Sequence, residues 1–341
     1  MMPMTGSRTP KDILEEARAL MDKSEWKRTI ELLNEIFSDH LKDQTARPAV
    51  ARAHFLRAQC LVHMGEFDRA IDECDRAITM ARASMDALVE GETLRLMGNI
   101  GWKKADYKKA QEHLNRAHEI AVQLKDDRLE GMVHLELGAV YMNTKDLLVS
   151  EREFREAVLS LEKSGDMREL ARAYNNFANN FMFQKKWEKA AEMFGKCKKI
   201  AEKVGDEGFV AWGAFNRAEC LVELGRPKEA MEEVLLAIPI LERTDDNQGL
   251  IGAYQIAGLV YAKLGDWKEA EEHLIKARRL AQKCKLPVSE GTIVKDIGRI
   301  YKWRGDKDKA LLYMKEAKEM FERLGAKQEL DRLTEDMKDL S

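Results

Sequence analysis

The chain has 341 residues, of which 45% are hydrophobic and 34% are charged. This hydrophobic fraction is large enough to form a core and argues against an intrinsically disordered chain. The 57 basic and 60 acidic residues are interspersed and leave a net charge of −3, so we expect no whole-molecule field that attracts nucleic acid or a membrane surface.

Residues 1–8 are predicted to be disordered, and they have neither the apolar core of a signal peptide nor the arginine-rich pattern of a transit peptide. The sequence contains no run of 18 apolar residues that could span a bilayer. Its five cysteines, an odd number in no paired spacing, favour a reducing compartment. We therefore expect a cytoplasmic protein.

The first predicted helix pair covers residues 9–40. Thr9 suits a helix N-cap, and Pro10 follows at the first helical position. The stretch KSEWKRTIELLNEIF aligns, one residue out of phase, with MGEFDRAIDECDRAI further along the chain. Residues 9–40 are thus a diverged copy of a repeat, and the segment LKDQTARPAV, residues 41–50, is predicted to be a linker.

Seven copies of a 40-residue repeat follow in residues 51–330: 51–90, 91–130, 131–170, 171–210, 211–250, 251–290 and 291–330. Positions 8, 20 and 27 of the copies hold small residues, whereas position 24 is mostly large and apolar. Positions 4, 8 and 11 share one helical face, and positions 20, 24 and 27 repeat that spacing. Each copy is therefore predicted to contain two helices, A and B, with closely crossing backbones at the small positions.

Turn and cap residues punctuate the copies at regular intervals. A glycine near position 15 predicts the turn between helices A and B, and Gly165, Gly205 and Gly325 predict left-handed C-caps after helix B. Aspartates near the end of five copies suit the N-cap of the next helix A: Asp86, Asp126, Asp166, Asp206 and Asp246. Residues 327–341 are predicted to form a polar C-terminal capping helix that shields the last apolar surface.

These columns resemble the tetratricopeptide repeat, whose pattern has a bulky residue at 4, Leu-Gly at 7–8, Tyr at 11, Ala at 20, an aromatic at 24 and Ala at 27. The closest copy runs from Leu250 to Ala281, with Ala257 in place of leucine. The 40-residue period departs from the usual 34 and is similar to that of the Pins/LGN polarity adaptors. The resemblance implies an all-α, right-handed superhelical solenoid of antiparallel helix pairs that acts as a non-enzymatic scaffold.

The other side of helix A, at positions 2, 6, 9 and 13, has no packing role within the repeat. The resemblance implies that this side lines a concave groove that binds a protein or peptide ligand. The candidate peptide-binding residues at or beside these positions are Arg95, Asn99, Arg172, Asn175, Asn176, Asn179, Trp212 and Asn216.

Asparagine is the most distinctive residue among these candidates. It is a middling helix former, so the four asparagines of AYNNFANNF are not explained by helix propensity. A carboxamide carries a donor and an acceptor and can bind the backbone of an extended peptide. The alternatives are that these are solvated polar positions, or that Asn180 satisfies a neighbouring helix end.

One known binding mode of the resembled family is not expected. The carboxylate clamp that binds chaperone tails would place Glu136 at its centre in this chain. Because an acidic side chain repels a C-terminal carboxylate, we expect no chaperone-tail binding.

The sequence shows no Gly-rich phosphate loop, HExxH, CxxC or nucleophile elbow, and we predict no catalytic residue and no cofactor. His54 and His134, both at position 4, are expected to pack in the core, and His113 and His118 are five residues apart and do not share a face. No metal site is predicted. No basic stripe with stacking aromatics predicts nucleic-acid binding.

Three functional hypotheses remain. The first is an adaptor that binds a peptide or helical segment in the groove. The second is a peptide-responsive regulator, in which a bound peptide changes a partner's activity. The third is an RNA-binding protein or an enzyme built on an atypical solenoid, which would need convergent perturbed side chains in the groove. The oligomeric state is left open.

Overall fold

A computed structural model describes residues 8–40 and 43–337, and this part of the chain contains seventeen α-helices, one 3-10 helix and no strand. Residues 1–7, predicted to be disordered, and residues 338–341, predicted as the end of the capping helix, lie outside the described residues. The chain divides into two compact units, Met1–Asp166 and Met167–Ser341. Within the described ranges, no helix has the length and apolar character needed to cross a membrane.

The first unit holds four helix pairs: α1 Pro10–Asp22 and α2 Trp26–His40, α3 Arg47–His63 and α4 Phe67–Ala83, α5 Ala87–Lys103 and α6 Tyr107–Leu124, and α7 Asp127–Asn143 and α8 Leu147–Ser164. Thr9 and Asp12 form a capping box at the start of α1, as the cap prediction required. The 3-10 helix Gln44–Ala46 precedes α3. The predicted linker was too long, because α3 already begins at Arg47 and takes Pro48 into its first turn, where no N–H is needed.

The second unit holds four helix pairs and a final helix: α9 Met167–Phe183 and α10 Trp187–Val204, α11 Glu207–Glu223 and α12 Pro227–Arg243, α13 Asn247–Leu264 and α14 Trp267–Lys283, α15 Pro287–Arg304 and α16 Lys307–Leu324, and α17 Lys327–Met337. Leu333 of α17 is buried at 1% exposure in the apolar cluster of this unit, with Leu330 and Met337 packed beside it. α17 therefore covers apolar surface left by the last pair, as a terminal repeat must.

The repeat columns form the core of both units. Every residue at positions 8, 20, 24 and 27 of the seven copies is buried. A Cβ added to Gly138, at position 8, would lie 2.6 Å from the ring of Phe154, at position 24 of the same copy. The small column thus makes room for a large side chain of the paired helix, and this is why helices A and B pack closely.

The turns between helices also follow the repeat. A residue with positive φ recurs every 20 residues from Gly65 to Gly325, at each junction between helices. Glycine occupies seven of these positions, including the three predicted C-caps, whereas Ala105 takes φ 58° with a side chain. Four of the predicted aspartate N-caps accept the expected backbone N–H: Asp86, Asp126, Asp206 and Asp246.

Candidate functional site

The second unit contains a cavity of about 450 Å³. Its lining comes from the A helices α9, α11 and α15, from α17, and from the start of α10 and the turn before it: Asn179, Met182, Phe183, Lys185, Trp187, Glu219, Glu223, Lys295, Arg299, Arg332 and Glu335. Asn179, Phe183, Glu219 and Glu223 occupy positions 9 and 13 of their copies. We call the side of helix A that holds positions 2, 6, 9 and 13 the inner face. This face is therefore concave in the second unit.

Charged side chains in and beside this cavity are partly paired with one another. Arg299 donates to Glu223 at 3.0 Å and to Asp296 at 3.1 Å, and Gln255 donates to the second oxygen of Asp296 at 2.5 Å. Arg299 therefore neutralises acidic groups from two different repeats. Its position also draws together α11 and α15, which are separated in sequence by a full repeat.

Glu219 is an acidic group of the cavity that does not take part in the pairing with Arg299. Burial raises the pKa of its carboxyl to about 7, and the nearby Asp296 and Glu223 carboxylates add to the rise, against the opposing effect of Arg299 and Lys295. A carboxyl in such a place titrates near neutral pH and gains charge when a cation approaches it. The cavity thus contains a carboxyl group whose ionisation a bound cation would favour.

The cavity lining also includes the apolar and aromatic side chains of Met182, Phe183 and Trp187. Phe183 at the end of α9 is 51% exposed, which is high for a side chain of its size. The Arg332 guanidinium of α17 lies 5.8 Å from the Phe183 ring, and Lys185 and Glu335 approach to 3.7 Å. α17 therefore does more than the predicted capping, because it also closes one side of the cavity.

The asparagines predicted to bind a peptide fall in different surroundings on α9. Asn179 lines the cavity. Asn175 donates to Asn176 at 3.4 Å, and its own side-chain oxygen is buried without a hydrogen-bond partner. Asn180 is fully buried and accepts from Gln184 at 2.5 Å, so it is a core residue bonded to the side chain that directly follows its own helix.

The other candidates of the second unit are already engaged in contacts or half-buried. Arg172 forms an ion pair with Glu169 at 2.7 Å, one turn earlier on α9. The indole N–H of Trp212 donates to Asp246 at 2.9 Å, and Asp246 also caps α13. Trp212 therefore offers a partner only its ring surface, and Asn216 lies half-buried on the same helix.

The candidates of the first unit lie on α5. Arg95 is 8% exposed and forms an ion pair with Glu136 of α7, which is equally buried. Glu136, which argued against a carboxylate clamp, thus serves as the partner of the arginine from the preceding copy. Asn99 is half-buried one turn further along α5.

Further ion pairs follow the inner face of the first unit from copy to copy. Arg52 pairs with Glu92, and Arg128 lies 4.0 Å from Glu92 and 2.7 Å from Asp166. Arg52, Glu92 and Arg128 line a cavity of about 460 Å³ together with α1 residues. Most of these charges are thus paired within the unit.

Sequence reasoning missed Lys295, Arg299 and Arg332 as lining residues. Lys295 and Arg299 stand at positions 5 and 9 of the last copy, so the position-9 column contained the signal for Arg299. Arg332 had no such signal, since it lies outside the repeat.

Solved structures share this architecture at low sequence identity. A Signal Transduction ATPase with Numerous Domains (STAND) protein with a tetratricopeptide repeat sensor, from Pyrococcus horikoshii, matches with a TM-score of 0.69 and 15% identity, over 96% of this chain and 52% of that chain. The Rap conjugation gene regulator of the plasmid pLS20, in complex with the Phr* peptide, matches with a TM-score of 0.59 and 13% identity, over 96% and 97%. Aspartyl phosphate phosphatase F from Bacillus subtilis matches with a TM-score of 0.57 and 16% identity, over 100% and 96%.

At these identities the likeness concerns the fold. No curated protein matches this sequence. The sequence pattern of the tetratricopeptide repeat, in contrast, matches residues 49–122, 169–243 and 251–323, which together exceed half of the chain. With the helix pairs and the buried small columns described above, this match identifies the chain as a member of the tetratricopeptide repeat family.

Proposed function

We propose that this chain is a non-catalytic cytoplasmic adaptor or regulator that binds a peptide segment in the inner-face cavity of its second unit. The observation that carries the proposal is the cavity itself, which combines amide, charged and aromatic side chains from helices of three repeats and α17. Pockets that hold ligands pair apolar walls with a few polar groups that fix orientation. The five free cysteines, four of them buried, support a reducing compartment.

The chemistry of the cavity favours a segment that carries a lysine or arginine side chain. Such a cation would meet Glu219, whose carboxylate is favoured by the added charge, while Glu223 and Asp296 keep their bonds to Arg299. The Asn179 carboxamide can bond to both the N–H and the C=O of a peptide backbone. Phe183 provides the exposed apolar surface on which a neighbouring side chain of the peptide would pack.

The position of α17 provides a route to regulation in addition to capture. Arg332 and Glu335 line the same cavity as Asn179 and Glu219, so a segment bound there contacts the end of the solenoid as well as the repeats. A ligand changes a conformational equilibrium only if its contacts with the protein differ between the two conformations. Contacts between the bound segment and α17 would differ in this way if α17 changed position. The Rap regulator bound to the Phr* peptide is a protein of this fold in complex with a peptide, which supports the same kind of ligand here.

The test begins with phage-displayed random 12-residue peptides selected on the immobilised full chain. Selected peptides should be enriched in lysine or arginine, and Asn179→Ala and Glu219→Gln should each weaken their binding roughly 10-fold, the loss expected for a hydrogen bond to a charged group. Asn143→Ala is the matched control. It removes an asparagine from position 13 of helix A in the first unit, where its amide bonds to its own backbone.

Binding that is unchanged by both cavity variants would refute the proposed site. If the selected peptides bind the control variant and the cavity variants equally well, the peptide-binding surface lies elsewhere on the chain. Circular dichroism of each variant should show unchanged helicity, since Asn179 and Glu219 are only half-buried and lie outside the apolar columns.

A further inference from the structure

Three potential metal ligands from two helices meet in the first unit, away from the cavity of the second. His118 lies on α6, and Glu130 and His134 lie one turn apart on α7. The Nε2 atoms of both histidines are 3.9 Å from the same carboxylate oxygen of Glu130. The ligand atoms of all three residues lie within 4.8 Å of one another. This convergence could not be seen in the sequence, where His118 stands twelve residues before Glu130.

A fourth residue orients one of these ligands. Nδ1 of His134 lies 2.8 Å from Glu153 of α8, a carboxylate that is 9% exposed at its side chain. A carboxylate that accepts from one ring nitrogen fixes the tautomer and directs the lone pair of the other nitrogen outward. In His134 that outward nitrogen is Nε2, which faces Glu130 and His118.

The same chain provides a copy of the orienting pair without the other ligands. His54 bonds through Nδ1 to Glu73 at 2.7 Å, two repeats before His134 and Glu153. The residues two repeats before His118 and Glu130 are Ser38 and Val50, which leave His54 with the ring of Phe37 stacked on it at 4.4 Å. The His–Glu pair therefore serves packing in one repeat, and only at His134 does it meet two more ligands.

The second unit contains an equivalent junction between repeats that lacks the histidines. Glu290 occupies the same position in a later copy and pairs with Arg278 at 3.2 Å, and Arg278 stands where His118 does. The arginine at this junction is thus replaced by His118 in the first unit, and His134 stands where the second unit has Val294. Two imidazoles and a carboxylate together supply three ligand atoms to which a metal cation can bind.

We propose that His118, Glu130 and His134 bind a divalent transition metal ion of the zinc type, with Glu153 as the residue that positions His134. Imidazole and carboxylate ligands suit zinc, and sites with three protein ligands keep a fourth position for water or a partner group. Ligand atoms around a tetrahedral zinc are about 3.3 Å apart, so rotation of the His118 and Glu130 side chains must shorten the present distances. Both side chains are free enough to do so, at 35% and 28% exposure.

Such an ion would join helix B of one repeat to helix A of the next. The direct contacts there are apolar, made by residues such as Ala117, Ala121, Leu129 and Val133. Coordination bonds would add a link that fixes α6 against α7, and therefore the angle between successive repeats in this unit.

The test uses the full chain without an affinity tag, freed of metals by a chelator and titrated with zinc against a competing chromophoric chelator. The wild-type chain should bind one zinc ion. His118→Ala and Glu130→Gln should each weaken binding by roughly 100-fold, and Glu153→Gln by roughly 10-fold. His54→Ala is the matched control and should leave the zinc affinity unchanged. Bound zinc should raise the melting temperature of the wild type by about 5 °C and that of His118→Ala by nothing measurable.

Cobalt provides a second readout of the same site. Its visible spectrum in the wild-type chain should report nitrogen and oxygen ligands without a thiolate charge-transfer band, which separates this site from binding at a cysteine. Zinc binding that survives in both His118→Ala and Glu130→Gln, or that is no tighter in the wild type than in these variants, would overturn the proposal. Because neither variant touches the second-unit cavity, this result leaves the peptide-binding test unaffected.

Discussion

Replacing Glu219 with glutamine should stabilise the protein at alkaline pH and have little effect at pH 5. The carboxyl has a pKa of about 7 in the folded chain, against 4.5 for an unperturbed glutamate. The folded state therefore holds a proton more tightly than the unfolded state. This penalty on folding is fully present above pH 7 and disappears as the pH falls below 4.5.

The magnitude follows from the size of that difference. Each pKa unit corresponds to about 1.4 kcal/mol, so the charged carboxylate costs the folded state on the order of 3 kcal/mol at pH 8 and less than about 1 kcal/mol at pH 5. Glutamine has the shape of the neutral carboxyl and no titration. The difference in unfolding free energy between Glu219→Gln and wild type should therefore grow by roughly 2 kcal/mol between pH 5 and pH 8.

Urea unfolding of both proteins at several pH values, followed by circular dichroism, measures this difference. Glu207→Gln is the control of opposite sign, because the bidentate bond from Arg243 at 2.6 and 2.8 Å lowers the pKa of the Glu207 carboxyl. Its stability relative to wild type should fall as the pH rises through the titration of Glu207. A Glu219→Gln difference that is the same at pH 5 and pH 8 would refute the account of the cavity as a desolvated acidic site.

Four further changes test the repeat packing, the caps and the turns, each by urea or thermal unfolding. Gly138→Ala should cost about 1–3 kcal/mol, because the new methyl group meets an aromatic ring at 2.6 Å, whereas Gly195→Ala, with its nearest neighbour at 3.7 Å, should stabilise its helix by up to about 1 kcal/mol. Asp246→Ala should cost about 2 kcal/mol, since it removes both the α13 cap and the partner of a tryptophan N–H. Ala105→Gly should stabilise by about 0.5–1 kcal/mol by relieving a left-handed φ of 58°. Equal effects of the two Gly→Ala changes, or a destabilising Ala105→Gly, would contradict the packing and turn assignments.

The sequence by itself determined the repeat, its period and most helix ends, because these depend on local rules. Small residues at positions 8, 20 and 27 recur at helical spacing. The aspartates and glycines predicted as caps lie within one or two residues of the observed helix ends. The same rules predicted which side of helix A has no packing role, and Asn179 and Glu219 lie on that side in the cavity. The linker was overestimated, since Pro48 can begin a helix as well as break one.

The tertiary structure decided which polar groups meet across repeats, because the two members of each pair lie on different helices and no local rule connects them. Arg95 pairs with Glu136, and Trp212 donates to the cap residue Asp246, so side chains that looked free in the sequence are bonded in the fold. The meeting of His118 with Glu130 and His134 likewise arises only when helix B of one copy packs against helix A of the next. Periodicity fixes the faces of the helices, but the partners across each face depend on the packing of neighbouring repeats.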